Sequence, residues 1–504
     1  MKKIVSLFMC LAMLLSLVSI AVAEEDMTLK VMLPDFYSDA EWLTLEEGNP
    51  VLQAIYDATG VKLDITWVAN SEYGTITTLT IGDPANMPEV MVMQGPRDPI
   101  TISSARDGAF WDLTDLIPQY PNLAAGSAAT YNNTAIDGRI YGIYRVRPNA
   151  RAGIYYRNDY AAKAGYDKVP ETVQEFKDMC MAIAALGEVY VINWCDYYAG
   201  TIGIMTVISG APYQYGIDAE GKIYPAFEDP HFQEGLDFLR DLYAAGGIDP
   251  NFMTIASGNW NDAERSDPPK AIMRLDCLDN GYRYQEWLQE NMGASTVPGE
   301  EIVTLISTLV NDEGNIQIWP QNIGCSGEVV ITKTVSEEKL PKVLAFLDWC
   351  NSAEGQTLIN CGVEGVTYWL DSNGYLLTYP EGEAENSAKY AAYTNTVQHS
   401  LNQLGMNVNG SLAPAAELKS LRKVYNDYLN NNIKYVIANP CLSLESETYT
   451  LMGATLDKDV EAAQVQYIAG KKTLEELKAA YQEWYDMGGT QILEEYQAAY
   501  DATK

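Results

Sequence analysis

The stretch Asp137–Phe176 constrains the chain most. It reads DGRIYGIYRVRPNARAGIYYRNDYAAKAGYDKVPETVQEF. The alternation Ile140-Tyr141-Gly142-Ile143-Tyr144 predicts a strand, and Gly153-Ile154-Tyr155-Tyr156 predicts another. Between them Arg147-Pro148-Asn149 cannot extend either ladder, because proline donates no hydrogen bond. Beyond Pro170, Thr172 and Glu175 form a capping box that starts a helix. An extended segment thus leaves one folded unit and enters another. It carries Arg139, Arg145, Arg147, Arg151 and Arg157 in a chain of 68 Asp and Glu against 33 Lys and Arg. Two readings follow: a hinge beside a cleft, or a surface loop whose arginines pair with surplus carboxylates.

A chain of 504 residues exceeds one ordinary core, so two lobes or more are expected. Residues 1–23 have the form of a signal peptide: Lys2 and Lys3, an apolar run to Ile20, then Ala21-Val22-Ala23 before Glu24. The length of the run leaves an uncleaved anchor open. Cys10 follows Leu7-Phe8-Met9, without the small residues that precede a lipidated cysteine, so no lipid anchor is expected. The net charge of −35 argues against a nucleic-acid partner. The other seven cysteines are scattered without a CxxC, which indicates neither zinc nor redox chemistry. Cys350 and Cys361 could pair, but mostly free thiols are expected.

After the export segment, Leu29–Leu33 reads as a strand. Asn49-Pro50 starts a helix that Gly60 stops, and Val61, Leu63, Ile65 and Trp67 alternate with polar residues. Strand, helix, strand implies a parallel βαβ unit. A further strand is expected at Val90–Met93. Ligands of open α/β sheets sit beyond the carboxyl ends of the strands, which places Asp35, Tyr37, Trp67, Asn70 and Gln94 on a candidate ligand face. Near the end, Thr473 and Glu476 make a second capping box, and Gly488-Gly489 should stop that helix.

Catalysis has little support. His231 and His399 are the only histidines, and no GxSxG, HExxH, P-loop or dinucleotide fingerprint occurs. So many carboxylates leave a glycosidase pair formally open.

In order and spacing, several stretches resemble the large extracellular solute-binding proteins of bacterial ABC importers, the oligosaccharide branch. They are Ala58–Val61, Gly82-Asp83 with Pro88–Val90, Asp137–Gly142, Tyr156–Asp159, Leu242–Pro250, Gly362–Tyr368 and Gln497–Asp501. The resemblance implies a two-lobe periplasmic-binding-protein-like (type II) α/β fold with a ligand cleft between lobes. Residues 27–147 and 325–390 would form lobe one, and 148–324 and 391–504 lobe two. It also implies a monomer that hands an oligosaccharide to permease subunits outside the cytoplasm, without a reaction. A secreted carbohydrate-active enzyme is the alternative. Some relatives carry a calcium loop; Leu186–Thr201 reads LGEVYVINWCDYYAGT and lacks its spacing, so neither metal nor cofactor is expected.

Sugars present apolar C–H faces and hydroxyl rims, which rings and polar groups recognise. The candidate ligand set is therefore Asp35, Tyr37, Trp67, Gln94, Arg147, Trp260, Trp319, Glu364, Tyr368 and Trp369. The resemblance places Glu364–Tyr368 near the cleft. Each tryptophan could equally pack in a core. Arg147 could hold an acidic sugar bidentately or make a salt bridge across the crossing.

Overall fold

The computed structural model describes residues 27–36, 41–320, 323–370, 376–406 and 420–503. The main strands are β1 (Met27–Asp35), β2 (Val61–Ala69), β3 (Val90–Met93), β4 (Gly142–Val146), β5 (Ala152–Arg157), β6 (Tyr190–Ile192), β7 (Ala271–Cys277), β8 (Val303–Ile306) and β9 (Cys325–Ile331). They form two sheets, ordered β2-β1-β3-β9-β4 and β8-β5-β7-β6.

Local chemistry explains the first βαβ unit. The Asn49 side chain accepts from the Val51 and Leu52 N–H groups, Pro50 occupies the first turn, and Gly60 at φ 68° closes the helix Pro50–Thr59. β1 and β2 then pair in parallel from Met27↔Val61 to Asp35↔Ala69, and β3 joins β1 in parallel. β9 inserts antiparallel between β3 and β4, although more than two hundred residues separate it from β3. The capping box at Thr172 and Glu175 starts the helix Val173–Leu186 as expected.

The chain leaves the first sheet at Arg147–Arg151, between β4 and β5, and re-enters it at Cys325. It crosses again between Met406, in the first core, and Leu421, packed on the second sheet's helices. That crossing lies outside the described residues. Val397, Leu401, Leu404 and Met406 bury their side chains in the first core, so the first lobe continues past residue 390. Apolar burial, not the end of a matched motif, sets that boundary.

Gly488 interrupts the helix as expected: its non-helical φ of 141° puts a kink between Leu474–Trp484 and the last helix, Thr490–Asp501. Gly489 is needed because the Trp484 ring occupies the space of a side chain there. The seven cysteines from Cys180 to Cys441 are buried and form no disulfide among the described residues, Cys350 and Cys361 included. No described helix is long and apolar enough to cross a membrane.

Candidate functional site: the edges of the two lobes

On the first lobe the carboxyl ends of β1, β2 and β3 lie side by side, as parallel pairing requires. Gln94 follows β3 and donates its amide to Asn70, which follows β2, at 2.8 Å. Asp35, the last residue of β1, places its carboxylate 2.8 Å from His399 Nε2. The His399 ring lies 4.5 Å from Trp67 and 5.2 Å from Trp42 between centroids. His399 adopts φ 48°, a conformation uncommon outside glycine, and its Nδ1 faces the Asn395 carbonyl at 2.9 Å. Asp35 and Trp67 are thus brought together, by a histidine the sequence did not single out. Phe36, just beyond, is exposed. Tyr37 lies outside the described residues.

On the second lobe, β6 runs out into Asn193–Tyr197. The Asn193 carbonyl accepts the Trp260 indole N–H at 3.0 Å, and its amide donates to the Trp260 carbonyl at 2.9 Å. The Arg274 guanidinium lies 4.5 Å from the Trp260 ring and pairs with Glu264 at 2.8 Å, both groups nearly unexposed. Trp260 is only 8 % exposed, so it builds the second lobe's edge from beneath. The ring offered to solvent is Tyr197, 37 % exposed and edge-on to Trp260. Burial, then Asp276 and Cys277, push the Tyr197 hydroxyl up to about 12, while the Arg147 charge acts the other way. Asp276 accepts from Asn280 at 2.7 Å. A partly exposed ring, a carboxylate, an amide and an arginine therefore share this edge.

Arg147 is half-buried at the crossing, with its backbone N–H on the Gly324 carbonyl at 3.0 Å. The expected salt bridge across the crossing is not there: among the described residues the Arg147 side chain has no carboxylate partner. Trp319 does not join either edge set. It is 7 % exposed in the second core, against Gly203 and 6.1 Å from Tyr213, on a cavity of about 220 Å³ that Phe227 and Trp484 also line.

Glu364 and Tyr368 bridge one turn of the first lobe, with Glu364 exposed and Tyr368 buried. Trp369 packs edge-on to Tyr390 at 5.2 Å. Tyr390 belongs to the helix Ser387–Val397, which leads directly to His399, so this cluster neighbours the Asp35–Trp67 set through one helix. Of the residues missed in the sequence, His399, Trp42, Tyr197 and Asn193, two carried a weak signal. Tyr197 and Asn193 follow the carboxyl end of a strand, the position that drew attention to Asp35 and Gln94.

Two α/β lobes, joined by several crossings and edged with rings, amides and charged groups, define a two-lobe binding protein. Residues 44–263 match the family described as bacterial extracellular solute-binding protein. The chain is 27 % identical to Lipoprotein LipO of Bacillus subtilis (strain 168) over 95 % of this chain and 93 % of that one. It is 24 % identical to the polygalacturonan/rhamnogalacturonan-binding protein YtcQ of the same organism, over 94 % and 93 %. Among solved structures, the alginate-binding protein AlgQ2 without calcium ion superimposes with a TM-score of 0.65 at 20 % identity, covering 95 % of this chain and 98 % of that one. The matched family, YtcQ and AlgQ2 are described as binding proteins, which favours a binding role over the glycoside hydrolase alternative.

Proposed function

We propose that this chain captures an oligosaccharide between its two lobes and delivers it, as a monomer, to the permease subunits of an ABC importer. It acts outside the cytoplasm, and nucleic acid is not a partner. The observation that carries this reading is that both lobe edges carry rings and polar groups: Trp67, Asn70 and Gln94 on the first lobe, Tyr197 and Asp276 on the second, and Arg147 at the crossing between them. Rings suit the C–H faces of a sugar, and amides and charges suit its hydroxyl rim. The sugar-binding relatives support the same class of ligand. The crossings at Arg147–Arg151 and before Cys325 would act as hinges.

Thermal unfolding of the mature protein against oligosaccharides tests the class, since a ligand at a hundred times its Kd adds about 2.7 kcal/mol to the folded state. The ligand is expected back chemically unchanged, and small-angle scattering is expected to give a smaller radius of gyration at saturation. An unchanged radius would refute hinge closure. For export, mass spectrometry of protein recovered from the medium or cell surface is expected to find Glu24 at the N-terminus and no acyl chain. A retained leader or an acylated Cys10 would refute that.

A further inference from the structure

Arg147 is exceptional among the arginines of this chain. In the described residues every other arginine holds a carboxylate, a backbone carbonyl or an aromatic ring. The Arg147 side chain has none of these, in a protein with 68 acidic residues to choose from. An unpaired guanidinium is unremarkable on an open surface, where water serves it. Arg147 is instead half-buried at the crossing between the two sheets. Its neighbour Arg145 is buried with the same sign of charge and, among the described residues, donates to the Ser326 carbonyl and to no carboxylate, so it adds positive potential there. Asp276 is engaged by Asn280, and Asp279 by Arg151 and Arg283. Tyr197 of the second lobe, 37 % exposed, lies within range of the Arg147 charge, which opposes the rise of its hydroxyl's pKa.

We propose that Arg147 receives a carboxylate of the ligand, so that the solute captured is an acidic oligosaccharide, a uronide. A uronide bound here would place its carboxylate on the guanidinium fork and its ring face against Tyr197. The proposal rests on the carbohydrate reading above and narrows it.

The test is titration calorimetry at pH 7 on the mature protein and on Arg147→Gln and Arg147→Lys. The probes are trimers of galacturonate, guluronate and glucuronate, each beside its carboxyl-reduced counterpart, with maltotriose and kestose as neutral sugars. At least one acidic trimer is expected to bind about 10- to 100-fold more tightly than its reduced counterpart, the range of a hydrogen-bonded charge. Arg147→Gln is expected to abolish that preference, and Arg147→Lys to restore part of it. Unchanged melting temperatures would show that the variants fold. Equal affinity for acidic and reduced trimers, or a preference that survives Arg147→Gln, would overturn the uronide proposal. Tight binding of neutral sugars alone would overturn it too and leave the carbohydrate reading standing. Failure of every sugar to bind would remove both.

Discussion

Replacing Glu328 by Gln is expected to leave stability almost unchanged at pH 5 and to raise it by about 3–5 kcal/mol at pH 9. Glu328 lies in β9, 1 % exposed, between β3 and β4. Neither carboxyl oxygen has a hydrogen-bond partner among the described residues. Its side chain fills the space above Gly142, where a Cβ would stand 2.5 Å from the carboxyl carbon. Burial raises its pKa from 4.5 to about 8, with the Arg97 charge opposing. The sign follows from which state holds the proton. Between the unfolded and folded values the native protein keeps a proton that the unfolded chain releases. Stability therefore falls as pH rises, by about 1.4 kcal/mol per unit across that window. Gln removes the titration, so its advantage grows through the same window. Urea unfolding of both proteins from pH 4 to pH 9 measures it, and parallel curves would refute it. A Met variant, which carries no unpaired amide, should show the same pH dependence.

Cutting the support beneath Tyr197 is expected to cost a similar amount at neutral pH. Glu264→Gln leaves the Arg274 guanidinium buried without its counter-ion, a change of about 3–5 kcal/mol. The carboxylate now accepts from Arg274 at 2.8 Å and from the Tyr155 hydroxyl at 3.1 Å. Trp260→Ala removes the ring between Arg274 and Tyr197 and the indole bond to Asn193, again about 3–5 kcal/mol. The double variant should lose less than the sum, because both substitutions dismantle one network. Denaturant unfolding of the three variants checks the magnitudes and the coupling. Losses below about 1 kcal/mol would place Trp260 outside the core and return it to the ligand face.

Much of the first lobe's edge could be read from residues close together in the chain. Asp35 ends a strand, Asn70 and Gln94 each follow one, and parallel pairing brings those strand ends to one side. Trp260 and Trp319 could not be settled that way. Polar neighbours along the chain suggested exposed loops, yet Arg274 and Asn193 cover one ring and Gly203 and Tyr213 the other. A ring's exposure depends on segments arriving from elsewhere, and sequence neighbours say little about them.

The elements themselves were written in short-range chemistry. Asn49, Pro50 and Gly60 bound one helix, Thr172 with Glu175 start another, and Val61–Trp67 alternates as a half-buried strand must. Caps, turns and side-chain period act over a few residues, so a single chain displays them. Placement of β9 between β3 and β4 needed the folded protein. So did His399 against Asp35, Glu328 without a partner, and Arg147 left unpaired at the crossing. Those facts are made by contacts between distant segments and by the exclusion of water, which exist only once both lobes have closed around their cores.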